Sequence, residues 1–160
     1  MNGGIVIQYS REVARGQTAK DIDNLAKELK TSFVSYPLPA PLDRIGLRIE
    51  DDETPYGLLV TAHCVSLHGR FEHVWLEHGD QDRALGGRVR FYRLDHDGKD
   101  GAAAVYEVLF DNLGNMRLGT GKNFTETMKG DRVMVNETFR RLALGLATAI
   151  HASLDVVSVN

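Results

Sequence analysis

The sequence predicts an α+β domain built on a curved antiparallel β-sheet of about six strands. An N-terminal helix and a long C-terminal helix pack on one face of that sheet. Three observations point there. Two segments, one near each end, space their apolar residues at three- and four-residue steps. The chain between them alternates apolar and polar residues. The links inside that central region are short and rich in Gly, Asp and Asn, whereas a parallel crossover needs a dozen or more residues. The 160 residues are the length of one domain, spanning 1–160.

Gly4 to Tyr9 (GIVIQY) reads as a short strand, with β-branched residues following two glycines. A helix is predicted next, with Thr18 as its N-cap and Asp21 completing a weakened capping box. Ile22, Leu25, Ala26, Leu29 and Phe33 form its apolar stripe. The segment Tyr36 to Pro41 (YPLPAP) ends it, because three prolines remove backbone donors and favour an extended crossing.

Arg44 to Glu50 alternates Ile45, Leu47 and Ile49 against polar neighbours, as a half-buried strand does. Gly57 to Leu67 is read as a longer strand. His68-Gly69-Arg70-Phe71 is the expected reversal, with Gly69 supplying a positive φ, and Phe71 to His78 is the returning partner. Arg88 to Leu94, Ala102 to Phe110 and Met116 to Leu118 follow, linked by DHDGKDG and DNLGN. The last helix has Asn136 or Asp131 as its N-cap. Phe139, Leu142, Leu146, Ile150 and Leu154 lie along one side, and small residues suit close packing on a sheet.

This element order resembles the helix-grip arrangement of small-molecule-binding domains, in which a curved sheet wraps a long C-terminal helix. The resemblance implies a ligand space between the two and covers element order alone.

Composition narrows the function classes. Nineteen Lys and Arg against 22 Asp and Glu give a net charge of −3, which disfavours sequence-independent nucleic-acid binding. No apolar run reaches the ~20 residues of a membrane span. The start MNGGIVIQYSREV has no basic segment ahead of a long apolar one, and Cys64 is the single cysteine, so a reducing, cytoplasmic location is expected.

Each chemical signal has a plainer explanation. A reversal centred between Gly69 and Arg70 sets His68 and His73 on one strand face with Cys64. It sets His63 and His78 on the other face with Glu72. Two imidazoles and one further group begin a zinc site, but Cys-x-x-Cys and His-Glu-x-x-His spacing are both absent, so no metal and no cofactor is expected. Cys64 lies within TAHCVSL, which reads as an apolar strand, and a buried cysteine behaves as a small hydrophobe. DHDGKDG departs from a calcium loop at its fifth, sixth and twelfth places and reads as a β-turn around Asp97-Gly98. Gly119-Thr120-Gly121-Lys122 lacks the spacing of a phosphate loop, and the sequons at Asn123 and Asn136 matter only in a secreted chain. Arg88, Arg90 and Tyr92 share a strand face that suits single-stranded nucleic acid, yet Glu107 across the next turn is the expected partner of Arg88.

The sequence therefore points to a non-enzymatic binding domain. It either encloses a small apolar ligand or presents a surface to a protein partner. Phe71, His73, Trp75, Tyr92 and Tyr106 are the candidate lining residues. An enzyme using His73 or His68 as general base with Glu77 is the alternative. A protein inhibitor or chaperone, acting through the acidic run Glu50 to Glu53 or the Arg83–Arg93 stretch, is a third reading. The edges near Gly4–Tyr9 and Arg44–Glu50 suit pairing in a homodimer.

Overall fold

The computed structural model describes residues 3–79, 82–121 and 123–159. Helix α1 (Gly3–Val34) and a short α2 (Ala40–Arg44) precede seven strands. These are β1 (Arg48–Asp51), β2 (Leu58–Ala62), β3 (Val65–His78), β4 (Asp82–Leu94), β5 (Asp100–Phe110), β6 (Asn115–Leu118) and β7 (Glu126–Thr127). Helix α3 (Arg132–Ala152) follows. The strands form one antiparallel meander in chain order, curled into a half-barrel. Both long helices pack against its inner face and share one core with it. Where they meet, the rings of Phe33 and Phe139 stack at 5.6 Å.

The segment Gly4–Tyr9 is not a strand. It forms the first turns of a 32-residue α1. Once a helix is nucleated at 18–34, each added residue gains a hydrogen bond, and no proline interrupts the chain upstream. Thr18 is accordingly inside the helix and not its cap, and its hydroxyl donates to the Ala14 carbonyl at 3.1 Å. The stripe Ile22, Leu25, Ala26, Leu29 and Phe33 is buried as its spacing predicts.

The first hairpin also differs from expectation. The reversal falls at His63-Cys64, both with positive φ (52° and 63°), and β3 runs unbroken through Gly69. Ala62 pairs with Val65 and Leu58 with Gly69. Gly69 is required for close approach and not for turning, because a Cβ there would sit 2.7 Å from the Phe91 ring. Cys64 is therefore exposed in a turn, not buried in a strand. β1 is likewise shorter than predicted, since Arg44 ends α2 and Gly46 turns the chain at φ 79°.

The turn around Asp97-Gly98 forms as predicted. Asp95 Oδ1 accepts from the amides of Asp97 and Lys99, both at 2.9 Å. The seventh strand, which no sequence pattern announced, is held by Thr138 of α3. The Thr138 hydroxyl donates to the Thr127 carbonyl at 2.9 Å and accepts from its amide at 3.3 Å. Asp131 caps α3 by accepting from the Met134 amide at 2.9 Å; Asn136 lies within the helix. No helix among the described residues is long and apolar enough to cross a membrane.

Candidate functional site

Strand parity decides where the candidate lining residues go. β3 pairs with β4 so that Phe71 faces Val89, His73 faces Gly87 and Trp75 faces Leu85. These three stand on the inner face, toward α1. Phe71 packs between Tyr56 and Phe110, with ring centroids at 4.9 and 6.0 Å. His73 Nε2 lies 2.8 Å from Asp23 of α1. Trp75 is 48 % exposed, with the Arg15 guanidinium 5.2 Å from its ring centroid. Tyr106 stands on the inner face too, but under α3, where a Cβ at Gly145 would collide with its ring. Burial pushes its phenol up to about 12, with Glu126 adding to the effect, so it stays a neutral group at physiological pH.

Tyr92 is on the other side. It pairs with His68 on the outer face, with the Arg90 guanidinium 5.7 Å from its ring. The five residues therefore do not line one shared space. Beneath α3 the layers meet tightly, with Leu142, Leu146 and Ile150 buried in the same core as Leu67, Phe91 and Phe110. The recesses described are open to solvent. One of about 500 Å³ runs beside α3, where Val105 and Leu144 stand exposed next to Tyr106. Another, of about 470 Å³, separates the first half of α1 from the β3–β4 hairpin and has Trp75 in its wall.

The histidines part company as well. His68 and His73 differ in parity on β3 and face opposite sides of the sheet. His63 sits in the β2–β3 turn, its Nε2 3.0 Å from that of His151 on α3. The His78 side chain and Lys122 lie outside the described residues. No group of three His, Cys, Asp or Glu side chains suited to a metal occurs among the described residues. His68 bridges two carboxylates, with Nε2 2.9 Å from Asp52 and Nδ1 3.0 Å from Asp100. His73 meets Asp23, and Glu77 pairs with Arg83 at 3.0 Å. Neither imidazole is joined to Glu77 as an acid–base pair would require.

The charged runs are engaged within the fold. Lys30, buried on α1, reaches Asp51 at 2.6 Å and Asp52 at 3.4 Å and donates to the Thr54 carbonyl. This clasp ties α1 to the β1–β2 loop. On the outer face Glu72 receives Arg88 at 2.6 Å and Arg90 at 2.8 Å. Glu107 sits opposite Arg90, two residues from the expected position, because β5 is bulged near Tyr92. It still lies 3.8 Å from Arg88 and holds Arg117 at 2.7 Å. An arginine row interleaved with glutamates offers little net charge to a phosphate backbone.

Sequence reasoning missed the first half of α1. Ile5, Val6, Tyr9 and Val13 are all more than half exposed. At ~100° per residue they gather on a side roughly 160° around the axis from the buried stripe. Arg11 and Arg15 fall on the stripe side and line the recess with Trp75. The signal was present in the spacing of Val6, Tyr9 and Val13, at three and four residues, but the β-branched run obscured it. No protein-family model, curated protein or solved structure matches the chain.

Proposed function

We propose that the chain is a non-enzymatic protein-binding module that docks through the first half of α1, with a second copy of itself as the partner. One observation carries this reading: Ile5, Val6, Tyr9 and Val13 of α1 lie exposed on the side away from its buried stripe, with Ile7 alone exposed on the stripe side. From Ile22 onward its apolar residues face the sheet, while from Ile5 to Val13 they face solvent. An apolar stripe that the domain leaves uncovered is a site for association.

A second copy suits this stripe by symmetry. In an antiparallel pair centred on Tyr9, each Ile5 meets the other helix's Val13. The three- and four-residue spacing is that of a helix–helix seam. No charged residue lies within the stripe before Lys20. A two-fold pairing of identical surfaces is also the commonest form of self-association. The acid–base alternative has weaker support, because His68 and His73 are already occupied by Asp52, Asp100 and Asp23.

Sedimentation at about 100 μM tests the reading, since association follows mass action. The expected mass is twice the 17.8 kDa of the single chain. Val6→Glu combined with Val13→Glu should return it to the single-chain value without changing the far-UV spectrum. A wild-type chain that sediments as a monomer overturns the reading, whatever other helix it binds.

A further inference from the structure

The recess on the other side of α1 has a different chemistry. Arg11 and Arg15 descend into it from α1, and Arg83 enters from β4. Trp75 forms part of its wall, and Thr18 and Asn112 add neutral polar groups. No aspartate or glutamate among the described residues lines it. In a chain of net charge −3, three guanidinium groups gather around one aromatic ring, two of them paired with exposed glutamates at the rim and Arg11 with none among the described residues.

We propose that this recess binds a small anion carrying a planar ring, of the nucleoside monophosphate class. Guanidinium groups match the geometry of a phosphate and donate to it in pairs. An exposed indole offers a stacking surface to any flat ring. The volume of about 470 Å³ lies within the usual span of small-ligand sites. The arginines are available for this work. Arg11 makes no ion pair among the described residues. Arg15 and Arg83 pair with the exposed Glu12 and Glu77, at 2.8 and 3.0 Å, and Arg15 also lies 5.2 Å from the Trp75 ring centroid, a contact an incoming ring would replace. Pairs of that kind contribute little, so a phosphate displaces them at small cost. A recess of about 470 Å³ has room for one nucleotide, whereas the neutralised outer face gives a longer strand nothing to follow.

The recess and the apolar stripe occupy opposite sides of α1, so failure of the docking reading leaves this proposal standing, and the reverse. Trp75 is the only tryptophan, which makes its emission a report from this site alone. Emission is titrated with adenosine monophosphate, and separately with adenosine, inorganic phosphate and a single-stranded oligonucleotide. The nucleotide should quench saturably with a Kd below about 1 mM. Adenosine and phosphate should each bind at least ~10-fold more weakly, because each supplies half of the recognition. Arg11→Glu and Arg83→Glu should each weaken the nucleotide by ~10-fold or more with the fold intact. The indole proton shift of Trp75 in the wild-type chain gives the same readout without substitution. Absence of a saturable response to the nucleotide overturns the proposal. So does phosphate binding as tightly as the nucleotide, unchanged affinity in both arginine variants, or tight binding of the oligonucleotide alone.

Discussion

Asp52 accepts hydrogen bonds from three residues at once. The Thr54 amide and hydroxyl approach at 2.8 and 2.5 Å, His68 at 2.9 Å and Lys30 at 3.4 Å. Burial acts on its carboxyl in the opposite sense and favours the neutral form. The donors from Thr54, His68 and Lys30 outweigh it and hold the group down to about 2. A carboxyl depressed in the folded state stabilises the fold at every pH above its unfolded value of about 4. That contribution disappears as pH falls from about 4 through about 2. Its size is on the order of 2 kcal/mol. Asp52→Asn should therefore lower stability at neutral pH by about that amount and flatten the acid limb of the stability curve. Urea unfolding between neutral pH and pH 2 measures both effects. A variant whose acid limb parallels the wild type would show that the clasp around Asp52 does not stabilise the fold. The acidic run was legible in the sequence, but its partner was not, because a lysine 22 residues upstream lies beyond any local pattern.

The β2–β3 hairpin shows what an element's sequence conceals. Two-residue hairpin turns with positive φ at both positions prefer Asn-Gly, and this one carries His63-Cys64. Gly69, the residue that looks like a turn, instead makes room in mid-strand for Phe91. A local reading places the reversal at the glycine and shifts every facing pair of the hairpin. That shift sets His68 and His73 on one face and Cys64 inside a strand. The left-handed backbone at Cys64 costs roughly 1 kcal/mol. Cys64→Gly should raise stability by about 0.5–1 kcal/mol, read as a higher denaturation midpoint with an unchanged slope. No gain would mean that the turn is not strained at that residue. Elements whose own pattern matches their burial were legible: the second half of α1, the even side of β2, the Asp97-Gly98 turn and α3. Elements decided by distant partners were not, as with β7, which depends on Thr138 for its place. Trp75 stands out by type as a candidate residue. Arg11 and Arg15 do not, since their segment does not read as part of the helix that carries them to the recess.

On the scale of the whole molecule, the core is unevenly spread along α1. Every buried residue of that helix lies at or after Ile22, and none of residues 3–17 is buried. The half-barrel and α3 complete their packing against the second half alone, through Leu25, Leu29 and Phe33. Apolar burial is the main stabilising term in folding, so a segment that buries no side chain contributes little to it. Its residues are ordered as a helix by propagation from the packed half, at small net free energy. A chain beginning at Ala14 should consequently unfold in one cooperative transition within about 1 kcal/mol of the full-length protein. It should also sediment as a monomer, having lost Ile5, Val6, Tyr9 and Val13. Denaturant unfolding and sedimentation of the shortened chain separate the two roles. A loss of several kcal/mol would place part of the core before Val13 and contradict the division. An unchanged fold that still dimerises would move the interface elsewhere, with the uncovered edge of β5 at Ala102 to Val105 as the next surface. A stable monomer is the outcome that assigns folding to one half of α1 and recognition to the other.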